Sequence, residues 1–419
     1  MEITYGEQDR GICIRDNSDT FFDAKRPIDP TKIVWKPWLD VQLPFLFDAS
    51  GKTDFFEVTE TRLTINYDLI ASAFYLLSGW HEFVSEERDR YGRFPYRASI
   101  QHELGIVQLP VVNYYFDILK DAIEQFYDIS LPFRLNGAFP FYIAVTHDID
   151  NLHSGWLEEG FAALKKGRLA SAFSLLIHKA KGKDLWNNLD TLLAFEHRRG
   201  ITASYYFLPS QGMPHQIPHA DYEVTDAEVT AYMEAVKEAG SEIGVHGPVG
   251  SHLKSDNLKK YLSLFDSEIA GGRFHYLAFE PGVTPQVLER AGLRYDSTLG
   301  FAEHTGFRNS FAHPFYLFDL ENRRPTSVLE IPLVVMDQTL SQKKYMGIPP
   351  ERAVEHVYPL LEEIRKFNGA AAILWHNNFF SSIKFGGWEE VLSDMISYGK
   401  QHGGAMGSVQ KLIECIDRS

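Results

Sequence analysis

The amino-acid sequence predicts an α/β fold that contains a closed or partly closed barrel of about seven parallel β-strands. Three observations predict this fold class. Short apolar runs alternate with amphipathic helical patterns through the last two thirds of the chain, and polar residues follow several of those runs directly. Of the 419 residues, 44% are hydrophobic and 14% are aromatic, which suffices for large cores and excludes a disordered chain.

Residues 1–137 are expected to form a smaller mixed α+β domain, an accessory domain of unknown role. Apolar residues at helical spacing predict two helices there, and shorter runs are strand-like. The helices are expected at 68–77 and 112–127, and the strands at 32–35 and 62–66. No catalytic constellation is recognised in this region. Asn136-Gly137 then predicts a turn, after which the second domain begins.

The second domain, expected over residues 138–419, is predicted from strands and helices that alternate in chain order. Thr225 to Glu228 has the pattern of a capping box, and Thr284-Pro285 predicts an N-cap followed by proline at the first helical position. Gly240 and Gly292 are expected to end these two helices. The predicted strands are 141–150, 202–208, 241–247, 295–298, 328–332 and 370–375, and the other predicted helices are 189–199, 353–367 and 388–402.

The strand at 141–150 ends in two carboxylates, Asp148 and Asp150. Side chains two residues apart share one face of a strand, so the two aspartates are expected to project together while His147 points to the other face. Two close carboxylates repel each other. A cation between them, or a division of roles in which one binds a metal and the other acts as a base, would relieve that repulsion.

Further polar side chains follow other predicted strands. His246 ends the strand at 241–247, with His252 six residues later, and His376 follows the strand at 370–375. Arg273 and His275 would share a face if their segment is extended. Because the carboxyl ends of parallel strands meet at one edge, these side chains are expected to converge on one site.

These segments carry a resemblance to a known family. Four segments resemble, in order, the motifs of the polysaccharide deacetylases, carbohydrate esterase family four. They are Thr146–Asp150, His246 with a second histidine soon after it, Arg273, and Leu374–His376. The resemblance implies a distorted (β/α) barrel, similar to a TIM barrel, that uses one divalent metal ion, commonly Zn²⁺, to hydrolyse N- or O-acetyl groups of sugars. Segments within residues 67–94 are similar to the domain that precedes this barrel in some bacterial members.

The resemblance also implies a role for each matching residue. It assigns Asp148 as the base, Asp150, His246 and His252 as metal ligands, Arg273 as the residue that positions the base, and His376 as the general acid. The chemistry is consistent, because zinc with three protein ligands keeps a position for water and can lower the pKa of that water to about 7. The base then takes a proton, and the acid protonates the departing amine or alcohol.

One position departs from the family pattern. The usual second motif spaces its histidines four apart, whereas His246 and His252 are six apart across a segment whose glycines and proline exclude a helical turn. A loop of six residues is long enough to bend back and bring His252 to the metal. The alternative is that His252 is a surface histidine beside the loop. Three further residues are candidates for binding the sugar, although each also suits a structural role: His275, Arg308 and Trp375.

The predicted function is metal-dependent deacetylation of an acetylated saccharide or glycan precursor. Two alternatives stay open: a catalytically inactive relative that binds carbohydrate, and a metal-dependent amidohydrolase acting on a non-sugar amide. A net charge of −15 argues against nucleic acid as a partner. Cys13 and Cys415 lie at opposite ends of the chain, which excludes a disulfide framework.

The expected location is cytoplasmic, because no signal peptide is recognised and no apolar run reaches the roughly 18 residues of a membrane helix. Within this acidic chain, Lys165 to Lys183 is a basic segment. Such a segment suits a solvated helix face, or a surface beside the metal site that attracts a phosphate or a carboxylated sugar.

Overall fold

The structure, a computed structural model, describes residues 1–48, 51–131, 139–213 and 217–417. The chain divides into two compact units. The first comprises Met1–Arg134 and Phe307–Ala312, and the second comprises Leu135–Gly306 and His313–Ser419. The predicted domain boundary between residues 137 and 138 and the predicted Asn136-Gly137 turn lie outside the described residues.

The first unit is a small mixed domain. Its described strands are β1 (Ile3–Tyr5), β2 (Gly11–Ile14), β3 (Val34–Trp38), β4 (Val41–Phe45), β5 (Phe56–Val58) and β6 (Arg62–Ile65). Its described helices are α1 (Leu69–Leu77), α2 (Trp80–Val84), α3 (Ile100–Glu103) and α4 (Val111–Tyr127). One sheet has the order β1-β2-β6-β5, and β3 and β4 form an antiparallel pair. The helices predicted at 68–77 and 112–127 are confirmed as α1 and α4.

The second unit is built on a mostly parallel sheet. Its described strands are β7 (Tyr142–Ile149), β8 (Ser204–Phe207), β9 (Glu242–Gly247), β10 (Gly271–Phe274), β11 (Tyr295–Asp296), β12 (Phe315–Asp319), β13 (Arg324–Glu330), β14 (Leu333–Met336), β15 (Ala370–Leu374) and β16 (Ala405–Gly407). The order is β12-β13-β11-β10-β9-β8-β7-β15-β14, and β16 also pairs with β7. The β12–β13 pair is antiparallel, and the other pairs are parallel.

Helices connect most of these strands. They are α5 (Gly155–Lys165), α6 (Leu169–Ala180), α7 (Leu189–Arg199), α8 (Ala227–Glu238), α9 (Ser255–Leu262), α10 (Thr284–Ala291), α11 (Asp337–Ser341), α12 (Pro350–Lys366), α13 (Trp388–Gln401) and α14 (Val409–Asp417). Across the part of the chain that the structure describes, no helix has both the length and the hydropathy needed to cross a bilayer.

The α/β class and the mostly parallel sheet are confirmed, but the strand count differs from the prediction. The sheet has ten described strands instead of about seven. The order ends at β12 and β14, so the described strands form an open path and not a closed ring. The strand predicted at 328–332 is in fact the end of β13, and Pro332 separates it from β14 because proline cannot donate to a ladder.

Two helix starts also differ from the prediction. The capping box is wrong, because α8 begins after Asp226 and the Asp226 carboxylate accepts from the Glu223 N–H at 2.9 Å, which leaves Thr225 outside the helix. Thr284 is the first residue of α10 and not its cap, which is Val283.

Gly272 allows β9 and β10 to lie close together. A Cβ atom at this position would lie 1.8 Å from the carbonyl oxygen of Val245 on the neighbouring strand. The two residues are paired in the parallel register, and the next pair along the strands is Arg273 with His246. The glycine therefore brings two predicted site residues side by side.

Candidate active site

The predicted site residues of the second unit lie along the carboxyl ends of its parallel strands. Asp148 is near the end of β7, and Asp150 follows that strand directly. His246 and Arg273 are paired across β9 and β10, and His376 lies two residues after β15. Because these strands belong to one sheet, their ends face one region, as the sequence pattern predicted.

Asp150 lies at the centre of this group. Its Oδ1 is 3.3 Å from Nε2 of His246 and 3.8 Å from Nε2 of His275, and its Oδ2 is 3.6 Å from Nε2 of His376. Burial acts to raise the pKa of Asp150, but the surrounding histidines, His275 foremost, lower it well below its usual value. The carboxylate is therefore ionised, as a metal ligand must be.

The ring of His246 has a fixed orientation. Its Nδ1 lies 2.9 Å from the carbonyl oxygen of Arg273, which can only accept a hydrogen bond. Nδ1 therefore carries a proton, and Nε2 is the ring atom that faces Asp150. A histidine that donates one ring N–H to a backbone carbonyl is typical of metal ligands, because this contact fixes the tautomer.

His275 joins the group from the end of β10. It begins a 3₁₀ turn, and its ring centroid is 4.8 Å from that of His246. Burial lowers the pKa of His275 to about 3, so its imidazole is neutral and has a lone pair for a cation. Its Nδ1 makes no hydrogen bond with any described residue.

Asp150, His246 and His275 have the geometry of possible metal ligands. One ligand atom from each of them lies within 4.8 Å of the other two. The buried Oδ1 of Asp150 makes no hydrogen bond within the described ranges, and a cation would satisfy this polar atom. One carboxylate and two imidazoles are a common ligand set for Zn²⁺. The residues present therefore fit a divalent metal ion.

His252 is not a member of this group, although it was predicted to be a ligand. It lies in the 3₁₀ turn Ser251–Leu253, which follows Gly250 at a φ of +85°, and its ring packs against Phe274 with centroids 5.8 Å apart. The loop thus gives His252 a packing contact next to β10. His275, predicted only as a sugar-binding residue, provides the third possible ligand instead.

Arg273 holds the predicted base. Its Nη1 donates to Asp148 Oδ1 at 2.8 Å, and its Nε and Nη2 donate to the carbonyl oxygen and hydroxyl of Ser297 at 2.7 and 3.0 Å. Both charged side chains are almost fully buried. Asp148 Oδ2 points to the possible metal ligands and lies 3.7 Å from Nε2 of His246. One carboxylate oxygen is therefore anchored while the other faces the site.

The predicted acid, His376, is held by a carboxylate that sequence analysis missed. Nδ1 of His376 lies 2.7 Å from Oδ1 of Asp337, whose Oδ2 accepts from the backbone N–H of His376 at 2.5 Å. Burial acts to lower the pKa of His376, but Asp337 raises it to about 9. The imidazolium is therefore protonated at neutral pH. Asp337 directly follows β14, so the strand-end pattern would have found it had β14 been recognised.

His147 points away from the site, as predicted from its position between the two aspartates. Its Nε2 lies 2.9 Å from Oε1 of Glu196, and its Nδ1 lies 2.6 Å from the carbonyl oxygen of Trp375. Tyr205 also donates to Glu196 at 2.7 Å. This buried network connects β7 to Trp375, the residue that precedes His376, and so helps to fix the backbone position of the proposed acid.

Two residues predicted to bind sugar have structural contacts. The Trp375 ring is 0% exposed and packs against Trp388, so it has no surface to offer to a substrate. Arg308 belongs to the first unit, where its Nη2 lies 2.8 and 2.7 Å from the two carboxylate oxygens of Glu82 in a buried ion pair. A substrate-binding role for Arg308 stays a prediction.

Comparisons with known proteins show distant likenesses. Residues 1–128 match a family of unknown function, DUF7033. No curated protein matches the chain. A Mycobacterium smegmatis structure assigned as a polysaccharide deacetylase is 18% identical, covers 69% of this chain and 93% of its own, and gives a TM-score of 0.45. The PuuE allantoinase structure is 11% identical, covers 70% of this chain and 96% of its own, and gives a TM-score of 0.45. A CE4 family pseudoenzyme from Bacillus anthracis is 12% identical, covers 65% of this chain and 64% of its own, and gives a TM-score of 0.32.

The matching solved structures thus include assigned polysaccharide deacetylases and a pseudoenzyme of the same family.

Proposed function

We propose that the second unit is a metal-dependent deacetylase that removes N- or O-acetyl groups from a saccharide or glycan precursor. Asp150, His246 and His275 would hold one divalent ion, with Zn²⁺ the best fit to two imidazoles and a carboxylate. When bound, such an ion supplies an activated water and a Lewis acid for the acyl carbonyl. The third ligand in this proposal is His275, and not His252 as the sequence resemblance implied.

Asp148 is the proposed base. Its anchored oxygen is held by Arg273 at 2.8 Å, so the other oxygen faces the site in a fixed position. It takes a proton from water as the water oxygen attacks the acetyl carbon. The positive charge of Arg273 is not available to the substrate, because its donors bond to Asp148, Thr146 and Ser297.

His376 is the proposed acid. Asp337 keeps Nδ1 as the hydrogen-bonded side of the ring, so Nε2–H faces the site, 3.6 Å from Asp150. The C–N or C–O bond of the acetyl group breaks as Nε2 gives its proton to the departing nitrogen or oxygen. The products are acetate and a free amine or alcohol, so the atoms and protons of one water balance the reaction.

The observation that carries this proposal is the arrangement of two anchored side chains, Asp148 and His376, around one set of possible metal ligands. A base anchored by Arg273 and an imidazolium anchored by Asp337 lie within 3.7 Å and 3.6 Å of the possible metal ligands. A protein that only bound carbohydrate would have no need of either anchor.

Acetate release from a panel of substrates tests the proposal. The zinc-loaded protein is incubated with N-acetylated aminosugars and their oligomers, O-acetylated sugars and simple amides, with Asp148→Asn as the matched control. We expect acetate from at least one class of acetylated sugar, and little from the control. Release from simple amides alone would favour the amidohydrolase. Binding of a sugar without any acetate release would favour the inactive relative.

A further inference from the structure

Helices α5 and α6 expose large apolar side chains. Six of them have between 53% and 69% of their surface exposed: Leu157, Phe161, Leu164, Leu169, Phe173 and Leu176. In each helix these residues follow the spacing i, i+4, i+7, so they form one stripe on one face.

The opposite face of α5 is unusual for a surface helix. Its buried residues are Gly155, Glu159 and Ala163, which are small or charged. A surface helix normally buries its apolar stripe and exposes its charged face. Here the pattern is reversed, and contiguous exposed apolar surface on a protein marks a place of interaction.

Basic residues lie at both ends of this stripe. Lys165, Lys166 and Arg168 lie at the turn between α5 and α6, and Lys179, Lys181 and Lys183 lie at and beyond the end of α6. All six are exposed, and the sequence from 165 to 183 contains no acidic residue, although the whole chain has a net charge of −15. The cations are thus concentrated beside the apolar stripe.

We propose that this basic hairpin, residues 155–183, docks on the surface of an anionic lipid bilayer. Exposed leucine and phenylalanine would enter the boundary between headgroups and acyl chains, while lysine and arginine would bind lipid phosphates. A second copy of the chain is a poorer partner, because a two-fold contact between hairpins would place the cationic ends of one copy opposite the cationic ends of the other.

The basic hairpin is attached to the segment that follows Asp150. The Asp221 carboxylate accepts from the backbone N–H groups of Leu152 and His153 at 2.7 and 2.8 Å, and Lys179 Nζ donates to the His153 carbonyl oxygen at 3.1 Å. A bilayer bound by the hairpin would therefore lie beside this end of the second unit. The inference does not depend on the proposed reaction, because the hairpin contains none of the proposed catalytic or metal-binding residues.

Co-sedimentation of the full chain with lipid vesicles tests the inference. We expect the protein to pellet with vesicles of phosphatidylcholine mixed with phosphatidylglycerol, less with phosphatidylcholine alone, and less at high salt. The triple variants Phe161→Ser, Leu169→Ser, Phe173→Ser and Arg168→Gln, Lys181→Gln, Lys183→Gln should each bind the mixed vesicles on the order of 100-fold more weakly.

Two control triples match these changes in type and exposure. The apolar control is Val58→Ser, Met213→Ser, Tyr316→Ser, whose residues are 63% to 65% exposed, and the charge control is Lys254→Gln, Lys259→Gln, Lys260→Gln. Both should bind like the unaltered protein.

The inference is overturned if the unaltered protein stays in the supernatant, or if the hairpin triples bind as the controls do. Sedimentation velocity without lipid tests whether the hairpin is instead a surface for self-association. A dimer that dissociates only in the apolar hairpin triple would identify the hairpin as a self-association surface, and would also overturn the inference.

Discussion

His275 and His252 are alternative third ligands, and single substitutions distinguish them. His275→Ala should weaken zinc binding by about 100-fold or more, because it removes one of three ligand atoms that lie within 4.8 Å of one another. His252→Ala is the matched control and should retain zinc, since its ring packs against Phe274. Competition with a chromophoric chelator measures both affinities. A normal affinity in His275→Ala with a loss in His252→Ala would restore the ligand set that the sequence predicted.

Asp148 and Asp150 have similar surroundings but different proposed roles. Asp148→Asn keeps the size of the side chain and removes the base, so kcat should fall by roughly 100-fold or more while zinc remains bound. Elemental analysis and acetate release on the same sample check both parts. Joint loss of zinc and activity would mean that the two aspartates have the opposite roles.

The buried carboxyl group of Asp296, which is close enough to Arg273 to interact with its charge, makes the stability of the protein depend on pH. Burial raises the pKa of Asp296 to about 6, although Thr298 donates to it from both its N–H and its hydroxyl. The folded state therefore holds a proton that the unfolded chain releases near its ordinary pKa of 3.8, so rising pH through this window favours unfolding.

Asp296→Asn removes this titration. Between about pH 3 and about pH 8, the free energy of unfolding of the unaltered protein should fall by about 3 kcal/mol relative to the variant, with most of the change between about pH 4 and about pH 6. Urea unfolding at a series of pH values gives the difference directly. A difference that does not change with pH would show that Asp296 is ionised in the folded protein.

The sequence was informative about residues where a polar side chain directly follows an apolar strand. Asp148, Asp150, His246 and His376 were singled out in this way, and Arg273 was singled out by the face that it would share with His275 in an extended segment. Asp337 and Glu196 were missed for different reasons. Asp337 follows a four-residue strand that proline separates from its predecessor, and Glu196 lies in a helix and meets His147 only through the tertiary fold.

The spacing of β9 and β10 depends on Gly272. In Gly272→Ala the new Cβ would lie 1.8 Å from a backbone oxygen of Val245, so the strands must separate at a cost of about 1 to 3 kcal/mol or more. His246 and Arg273 follow the clashing pair, so zinc binding should weaken as well. Urea unfolding and the chelator competition measure the two effects.

Gly160→Ala provides the matched control. Apart from the chain neighbours and the backbone of α5 itself, no atom of the described residues lies within 4 Å of a Cβ at this position, and alanine favours a helix, so this variant should gain about 0.5 to 1 kcal/mol. Equal stability of the two variants would show that the close approach of β9 and β10 can relax without cost.

Several helices longer than two turns were predictable as elements, because their apolar spacing persists over many residues, but α5, α6, α9 and α14 were not predicted. The helices predicted at 189–199 and 388–402 are confirmed as α7 and α13 within one residue at each end. The three-residue strand β16 was not predicted, because so short a run shows no period, whereas the two-residue strand β11 lies within the strand predicted at 295–298. The N-terminus of α8 differs from the prediction because the Asp226 carboxylate accepts a hydrogen bond from Glu223, which precedes it in the chain, and not from the first turn of the helix.

At the scale of the whole molecule, the sequence predicted two domains but not how the chain is shared between the two units. Residues 307–312 belong to the first unit although both flanking segments belong to the second. Because these six residues have neither a helical nor a strand period, the sequence does not indicate to which unit they belong. Their assignment comes from tertiary contacts, such as the buried pair of Arg308 with Glu82.

The account as a whole depends on one ion per chain that acts together with Asp148 and His376. Protein stripped of metal is titrated with zinc, and bound zinc and acetate release are measured on the same samples with an active acetylated sugar. Acetate release should rise in proportion to bound zinc and stop rising at about one ion per chain. Full release from the stripped protein, or a filled site with no increase in release, would contradict the account.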